Sequence, residues 1–143
     1  MSILAKQSGL GWTTLSVDDS SGTLRDIRND VTNLDWTLPV ATQDITGIDK
    51  YAMERLALLR DFTVTLSGVF NVASNASHDV FKDINASASP AREFNLTIGG
   101  KSLGVTPAFT LLFTGYDVSR CNDGALTWQA PGVLASGDIP AWT

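Results

Sequence analysis

The chain has 143 residues, 10 Lys and Arg against 15 Asp and Glu, a formal charge of −5 and a pI near 4.6, with one cysteine and one histidine. That length suits one domain with its own core, and 43% hydrophobic against 17% charged residues excludes global disorder. The acidic balance offers no broad surface to nucleic acid or anionic lipid, and one Cys with one His excludes an intramolecular disulfide, multi-cysteine zinc or iron–sulfur frameworks and two-histidine metal motifs.

Residues 1–11 carry little periodicity and read as an arm. Residues 12–17 (WTTLSV) are rich in β-branched and aromatic types and read as a strand, followed by the turn formers of 18–22 (DDSSG). Residues 24–30 are ambiguous, whereas Leu34, Trp36 and Leu38 share one face of a strand that Pro39 ends. Residues 39–48 (PVATQDITGI) read as a loop.

From Asp49 the spacing of Ile48, Ala52, Leu56 and Leu59 predicts a short helix over about 50–59 with Asp49 as its cap. The alternatives are a loop with an apolar anchor, or a strand beginning at 56–59 (LALL).

Residues 61–70 give the clearest period of two, with Phe62, Val64, Leu66, Gly68 and Phe70 on one face. A second helix is predicted over 77–84, with Ala76, Val80, Phe81 and Ile84 on one stripe, Asn75 or Ser77 as cap and Asp79 in the first turn. Residues 92–98 alternate again, and Gly99-Gly100 turns the chain into 101–105. A long strand-like run covers 109–120, Asn122-Asp123-Gly124 marks a hairpin, and 125–134 is its partner. Pro131 and Gly132 mark that partner as bent or as an edge. About seven or eight strands joined by tight turns, with one or two short helices, predict an antiparallel β-sandwich or barrel.

No catalytic constellation is legible. His78-Asp79 sits at a helix start and reads as capping or packing, and nothing in the sequence brings His78 to Cys121. There is no Gly-x-Ser-x-Gly elbow, the Gly9–Gly11 pair lacks the third glycine of a dinucleotide loop, and the aspartates of 18–35 lack a calcium-loop pattern. The Asn-x-Ser/Thr triplets at Asn75, Asn85 and Asn95 read as chance matches. No apolar run approaches the ~20 residues that span a bilayer, so neither a secretory core nor a membrane anchor is expected, and the chain is placed in a reducing cytoplasm.

Residues 17–27 (VDDSSGTLRDI) resemble the opening strand and turn of major tail tube proteins of long-tailed, siphovirus-type bacteriophages, those infecting actinobacteria in particular. Residues 44–50 (DITGIDK), Phe70-Asn71 leading into 76–81 (ASHDVF), and 123–128 (DGALTW) are similar to the same family, in order, from about 12 to 142. The resemblance implies a single β-sandwich domain over 12–143 flanked by a helix, forming hexameric rings stacked into a conduit for the genome. It also implies tape measure, tail terminator and tail-tip partners, DNA passing through without specific binding, no cofactor, and a place in the virion after assembly in the host cytoplasm. The chain is short for that family. Its ring contacts usually use a long loop and the termini, here matched by 39–60 and 1–11.

The loop's apolar load (Val40, Ile45, Ile48, Tyr51, Met53, Leu56) is heavy for a connection. Ile45, Ile48, Asp49, Lys50, Tyr51, Met53 and Arg55 are therefore the expected subunit contacts. A conduit must not hold its polyanionic cargo, so some of Asp18, Asp19, Asp26, Asp30 and Asp35, the densest acidic region, are expected to face the lumen; the alternative is that they are outer-surface solubility residues. The alternative is a tail-tip or carbohydrate-binding β-sandwich using Trp12, Trp36, Trp128 and Trp142 as stacking platforms, although Trp36 and Trp128 fall within strand alternations.

Overall fold

The structure, a computed structural model, describes residue 8 and residues 14–86, 91–105 and 108–143. Through them run β1 (Thr14–Asp18), β2 (Leu24–Asp26), β3 (Val31–Thr37), β4 (Val40–Asp44), β5 (Arg55–Arg60), β6 (Thr63–Val69), α1 (Ser77–Phe81), β7 (Ala91–Ile98), β8 (Lys101–Leu103), β9 (Thr110–Phe113), β10 (Asp117–Arg120) and β11 (Leu126–Leu134). The expected antiparallel β class is the one that forms. The arm expected over 1–11 lies outside the described residues apart from Ser8, as does Trp12.

Nine strands share one sheet in the order β2-β1-β7-β9-β11-β6-β3, with β8 added to β7 and β10 to β11. Alternation sends Val64, Leu66 and Gly68 of β6 and Phe94 and Leu96 of β7 inward. Phe62, just before β6, meets Phe94 with ring centroids 5.8 Å apart. In a flat sheet β6 and β7 would stand three strand spacings, about 14 Å, apart. The ring contact therefore requires the sheet to fold over on itself. One core results, and it takes in Leu15, Val17, Phe62, Leu66, Phe94, Phe109, Phe113 and Trp128.

The helix is shorter than predicted: α1 ends at Phe81 and continues as turns to Ala86. Val80, Phe81 and Ile84 are buried as their stripe implies. Phe81 packs against Phe113, Trp128 and Tyr116 at 5.1, 5.3 and 5.7 Å. Neither Asn75 nor Ser77 caps the helix; the N-cap is Ala76, which makes no side-chain cap bond. The orphan N–H of Ser77 donates instead to the Asp30 carboxylate, at 3.0 Å, and Asp79 reaches back to accept the Asn75 N–H at 2.8 Å. A carboxylate delivered by another segment satisfies the helix start as well as a local cap does.

Four expectations are corrected. Residues 39–48 are not simply a loop, and 50–59 are not a helix. β4 and β5 pair as an antiparallel hairpin, with Gln43 opposite Leu56 and Asp44 opposite Arg55, so the strand reading of 56–59 is the one that holds. The 109–120 run divides into β9 and β10 around Thr114-Gly115-Tyr116. Finally, β11 is central rather than an edge, pairing β6 on one side and β9 and β10 on the other. Pro131 is tolerated because β10 pairs only as far as Gln129 and β9 only from Gly132. The Pro131 carbonyl accepts Thr114 N–H in that gap, at 3.0 Å, and its nitrogen, on the same side of the strand, faces no ladder partner.

The carboxyl end returns to the sheet. Ser102 and Thr143 exchange backbone hydrogen bonds of 3.1 and 3.0 Å, Trp142 bridges to Leu103, and its indole lies 6.4 Å from that of Trp36 on β3. The Phe81→Ala variant is expected to lose about 3–5 kcal/mol of unfolding free energy, the range for a buried large-to-small change. A chemical melt showing a loss below about 1 kcal/mol would remove Phe81 from the core.

Candidate assembly surfaces

The hairpin β4–β5 and its tip carry a continuous run of exposed apolar side chains. Every residue of both strands is exposed, and among the described residues they pair only with each other. An isolated two-stranded ribbon is marginal in water. Its two legs are closed at the base by the Asp61 N–H to Pro39 carbonyl bond, at 3.1 Å. Its tip is tied by Thr46, whose N–H and hydroxyl donate to Asp44 Oδ1 at 2.9 and 2.6 Å and whose Oγ1 accepts the Glu54 N–H at 2.8 Å. These bonds hold the Asp44 carboxyl below the usual carboxylate range.

Beyond that knot, Ile48 and Tyr51 are 108% and 107% exposed. Ile45, Met53, Leu56 and Leu59 are exposed with them. Asp49 and Lys50 pair with each other at 3.1 Å, and Arg55 opens β5 opposite Asp44. The structure thus brings Ile45, Ile48, Asp49, Lys50, Tyr51, Met53 and Arg55 together on one protruding arm.

The five aspartates expected to face a lumen separate. Asp30 is a correction: it is 4% exposed, and its carboxylate accepts Asn71 Nδ2 at 2.7 Å as well as the Ser77 N–H. It is an internal anchor, not a wall residue. Asp19 closes the β1–β2 turn, taking the N–H groups of Ser21 and Thr23, the Ser21 hydroxyl at 2.7 Å and Arg25 Nε at 3.0 Å. Those donors, the Ser21 hydroxyl first, hold its carboxyl far below the usual range. Asp18 is half-buried, and burial pushes its carboxyl up despite the Glu93 N–H and the nearby Arg92. Asp26 forks with Arg28 at 2.8 Å. Asp18, Asp19 and Asp26 therefore sit on the β1–β2 hairpin at one edge of the sheet order, and Asp35 on β3 at the other.

Asp35 belongs to a surface that composition alone did not single out. The outward rows of the four strands β3, β6, β11 and β10 carry Asn33, Asp35 and Thr37, then Thr63, Thr65 and Ser67, then Thr127 and Gln129, then Asp117 and Ser119. Pro131, Val133 and Val69 complete it, and no Lys or Arg is among them. A shallow groove of about 260 Å³ crosses it, lined among others by Thr32, Ser67, Asp117, Ser119, Thr127 and Gln129. The signal was present in the sequence as the Thr and Ser positions opposite the apolar period of 61–70.

Other candidates resolve into packing. Trp128 is buried, with its indole N–H on the Val69 carbonyl at 2.9 Å, and Trp36 packs against the core and Trp142. His78 Nδ1 and Tyr116 Oη share a hydrogen bond of 3.2 Å, while Cys121 is exposed at the β10–β11 turn. Among the described residues no three His, Cys, Asp or Glu side chains gather as metal ligands, and no helix is long and apolar enough to cross a membrane.

Solved structures share this architecture. A chain in the virion of a native gene transfer agent particle matches with a TM-score of 0.67 at 14% identity, over 96% of this chain and 99% of that one. A chain in the tail of an empty gene transfer agent particle, refined with C6 symmetry, matches with a TM-score of 0.69 at 16% identity, over the same shares. The fold is one found in a tail. No family model and no curated protein matches the sequence.

The Asp19 turn makes a pH prediction. A carboxyl with a depressed folded pKa contributes stability above its unfolded pKa, about 3.9, and loses it as pH falls toward the folded value. Asp19→Asn keeps an oxygen for the Ser21 and Thr23 amides but not the charge facing Arg25. The melting-temperature gap between wild type and Asp19→Asn should be widest at neutral pH and close progressively below about pH 4. A gap independent of pH would mean the charge contributes nothing.

Proposed function

We propose that this protein is the tail tube subunit of a phage-like particle, forming hexameric rings that stack into a conduit for DNA and that reside in the virion. The observation that carries the reading is the hairpin arm: an apolar ribbon, free of the body along its length, on a fold shared nearly end to end with a chain of a C6-symmetric tail. A monomer gains nothing from exposing Ile48, Tyr51, Met53 and Leu59 to water. Burial of the arm by neighbouring copies explains it, and Asp49, Lys50 and Arg55 then fix register at the rim of that contact. The reading is of a scaffold rather than a catalyst, with tape measure, terminator and tip proteins as its partners at the ends of the tube.

The polar face of β3, β6, β11 and β10 supplies the wall of the bore. Hydroxyls and amides hydrogen-bond to water, and the only charges in its outward rows are the carboxylates of Asp35 and Asp117. A face without cations forms no ion pairs with phosphates, which are the main source of adhesion between proteins and DNA. Screening confines each charge to about 8 Å at physiological salt, so the composition of this face matters more than the net charge of the chain. Among the described residues both margins of the four-strand group, β3 and β10, have one unpaired edge, which leaves room for lateral neighbours in a ring.

Two experiments bear on this reading. The double variant Ile48→Ser/Tyr51→Ser is expected to melt within about 0.5 kcal/mol of wild type, as exposed positions do, and to form no rings or tubes by negative-stain imaging. Tubes of normal length from that variant would defeat the assembly role of the arm. Tubes built from Asp35→Lys/Asp117→Lys subunits are expected to retain DNA in a salt-sensitive way, each new phosphate contact steepening the log–log salt slope by about 0.9. Unaltered release of DNA would place this face elsewhere than the bore.

A further inference from the structure

We propose that Arg92 and Asp18 are the two halves of an internal ion pair completed by one bound water, which fastens the end of β1 to β7. Nothing in this depends on how copies assemble. Arg92 stands in the inward row of β7 with Phe94 and Leu96, and all three are 2% exposed or less. On β9 it lies opposite Leu111, which is also buried. A guanidinium cannot shed its proton to escape such a place, as a buried lysine can. Its charge has to be answered where it is.

The orphaned atoms show where the answer comes from. Arg92 Nε and Nη2 are both enclosed and have no hydrogen-bond partner. Those two nitrogens form the side edge of the guanidinium, whose parallel N–H groups serve one acceptor site. Asp18 supplies the facing acceptor. Its Oδ2 takes the Glu93 N–H at 3.3 Å, one residue along β7 from Arg92, whereas its Oδ1 is enclosed and has no partner. The register agrees, because Val17 stands opposite Phe94 and the next step along β1 leads toward Glu93 and Arg92. Asp19, the next carboxylate, is already engaged by the Ser21 hydroxyl and Arg25.

The two charges are within electrostatic reach: burial pushes the Asp18 carboxyl up, and Arg92 works against that push. They are not in direct contact, since the ion pairs among the described residues do not include them. A water between them accepts from Nε and Nη2 and donates to Oδ1. That makes three hydrogen bonds, the usual number for a buried water, and a bridged contact is nearly as good as a direct one. An anion in that place would face the Asp18 charge at close range, and a cation that of Arg92. A neutral group that both donates and accepts suits the two together.

Removing one charge tests the pair. Asp18→Asn keeps the shape of the carboxyl but leaves the Arg92 charge buried alone, and is expected to lower the melting temperature by roughly 10 °C. Adding Arg92→Met, which fills a similar space without charge, is expected to restore most of that loss. A side chain that only fills space gives no such rescue. An Asp18→Asn melt equal to wild type, or losses that simply add in the double variant, would overturn the pair. Should Asp18→Asn fail to fold, the double variant decides: a cooperative melt supports the pair, and a chain that stays unfolded overturns it.

The water is read separately, by proton NMR on the isotope-labelled full chain, in the Ile48→Ser/Tyr51→Ser form if the wild type polymerises. The Arg92 Nε–H is expected to show a nuclear Overhauser contact to a water that stays longer than the molecule takes to tumble. Rescue in the melts without that contact would leave a direct ion pair and overturn the bridging water.

Discussion

The fold turns on Asp30. Its carboxylate is enclosed and accepts the Asn71 side chain and the first free N–H of α1, while its carbonyl accepts the Val69 N–H and its N–H donates to Ile27. A buried carboxylate without donors would cost several kcal/mol; with them, one residue joins the β2–β3 connection, the end of β6, the following loop and the helix. Gly68 is part of the same device. A Cβ there would collide with the Asp30 carbonyl and crowd the Trp128 ring, so the close approach of the two backbones needs a residue without a side chain. The location of α1 over Phe113 and Trp128 follows from where Asp30 holds its first turn.

With that end of the sheet pinned, the polar face and the arm are separated by construction. The apolar period of β6 faces the core, and the opposite period, all hydroxyl until Val69, makes the polar face. The connection between β3 and β6 is left to extend as the arm. One sequence pattern thus serves the core and a polar face at once, and the chain between β3 and β6 extends as a ribbon that the core does not constrain.

Much of the architecture was legible in the sequence because period two is a direct consequence of strand geometry. β6, β7 and the Gly99-Gly100 turn are read from local residues alone, and the stripe of Val80, Phe81 and Ile84 gives the buried face of the helix. The arm was misread where four apolar residues at helical spacing also fit a ribbon; nothing local distinguishes the two when neither face meets a core. Pro131 suggested an edge because the rule concerns a missing donor, and only the register shows that its nitrogen falls between two partner strands. Asp30 was grouped with its acidic neighbours because the sequence shows charge density but not burial, and the partners that make burial tolerable come from residues 71 and 77. The apolar load of 39–60 was visible from composition, whereas the polar face emerges only when four strands are set side by side.

The pairing of Trp36 with Trp142 bears on the order in which the molecule can fold. Those side chains lie 106 positions apart in sequence, and β1 with β7 is likewise a remote pairing. Topologies dominated by such contacts fold slowly, since loop closure must precede any reward from pairing. On a ribosome the sheet cannot be laced from β8 to β3 until residue 142 has emerged, yet the apolar arm at residues 40–60 has long been outside by then. The protein therefore carries its most adhesive segment through synthesis ahead of the body that should present it. The charges that punctuate the arm, Asp44, Asp49, Lys50, Glu54, Arg55 and Arg60, are gatekeepers of the kind that keep such a ribbon from pairing with its copies while the rest of the chain is still being made.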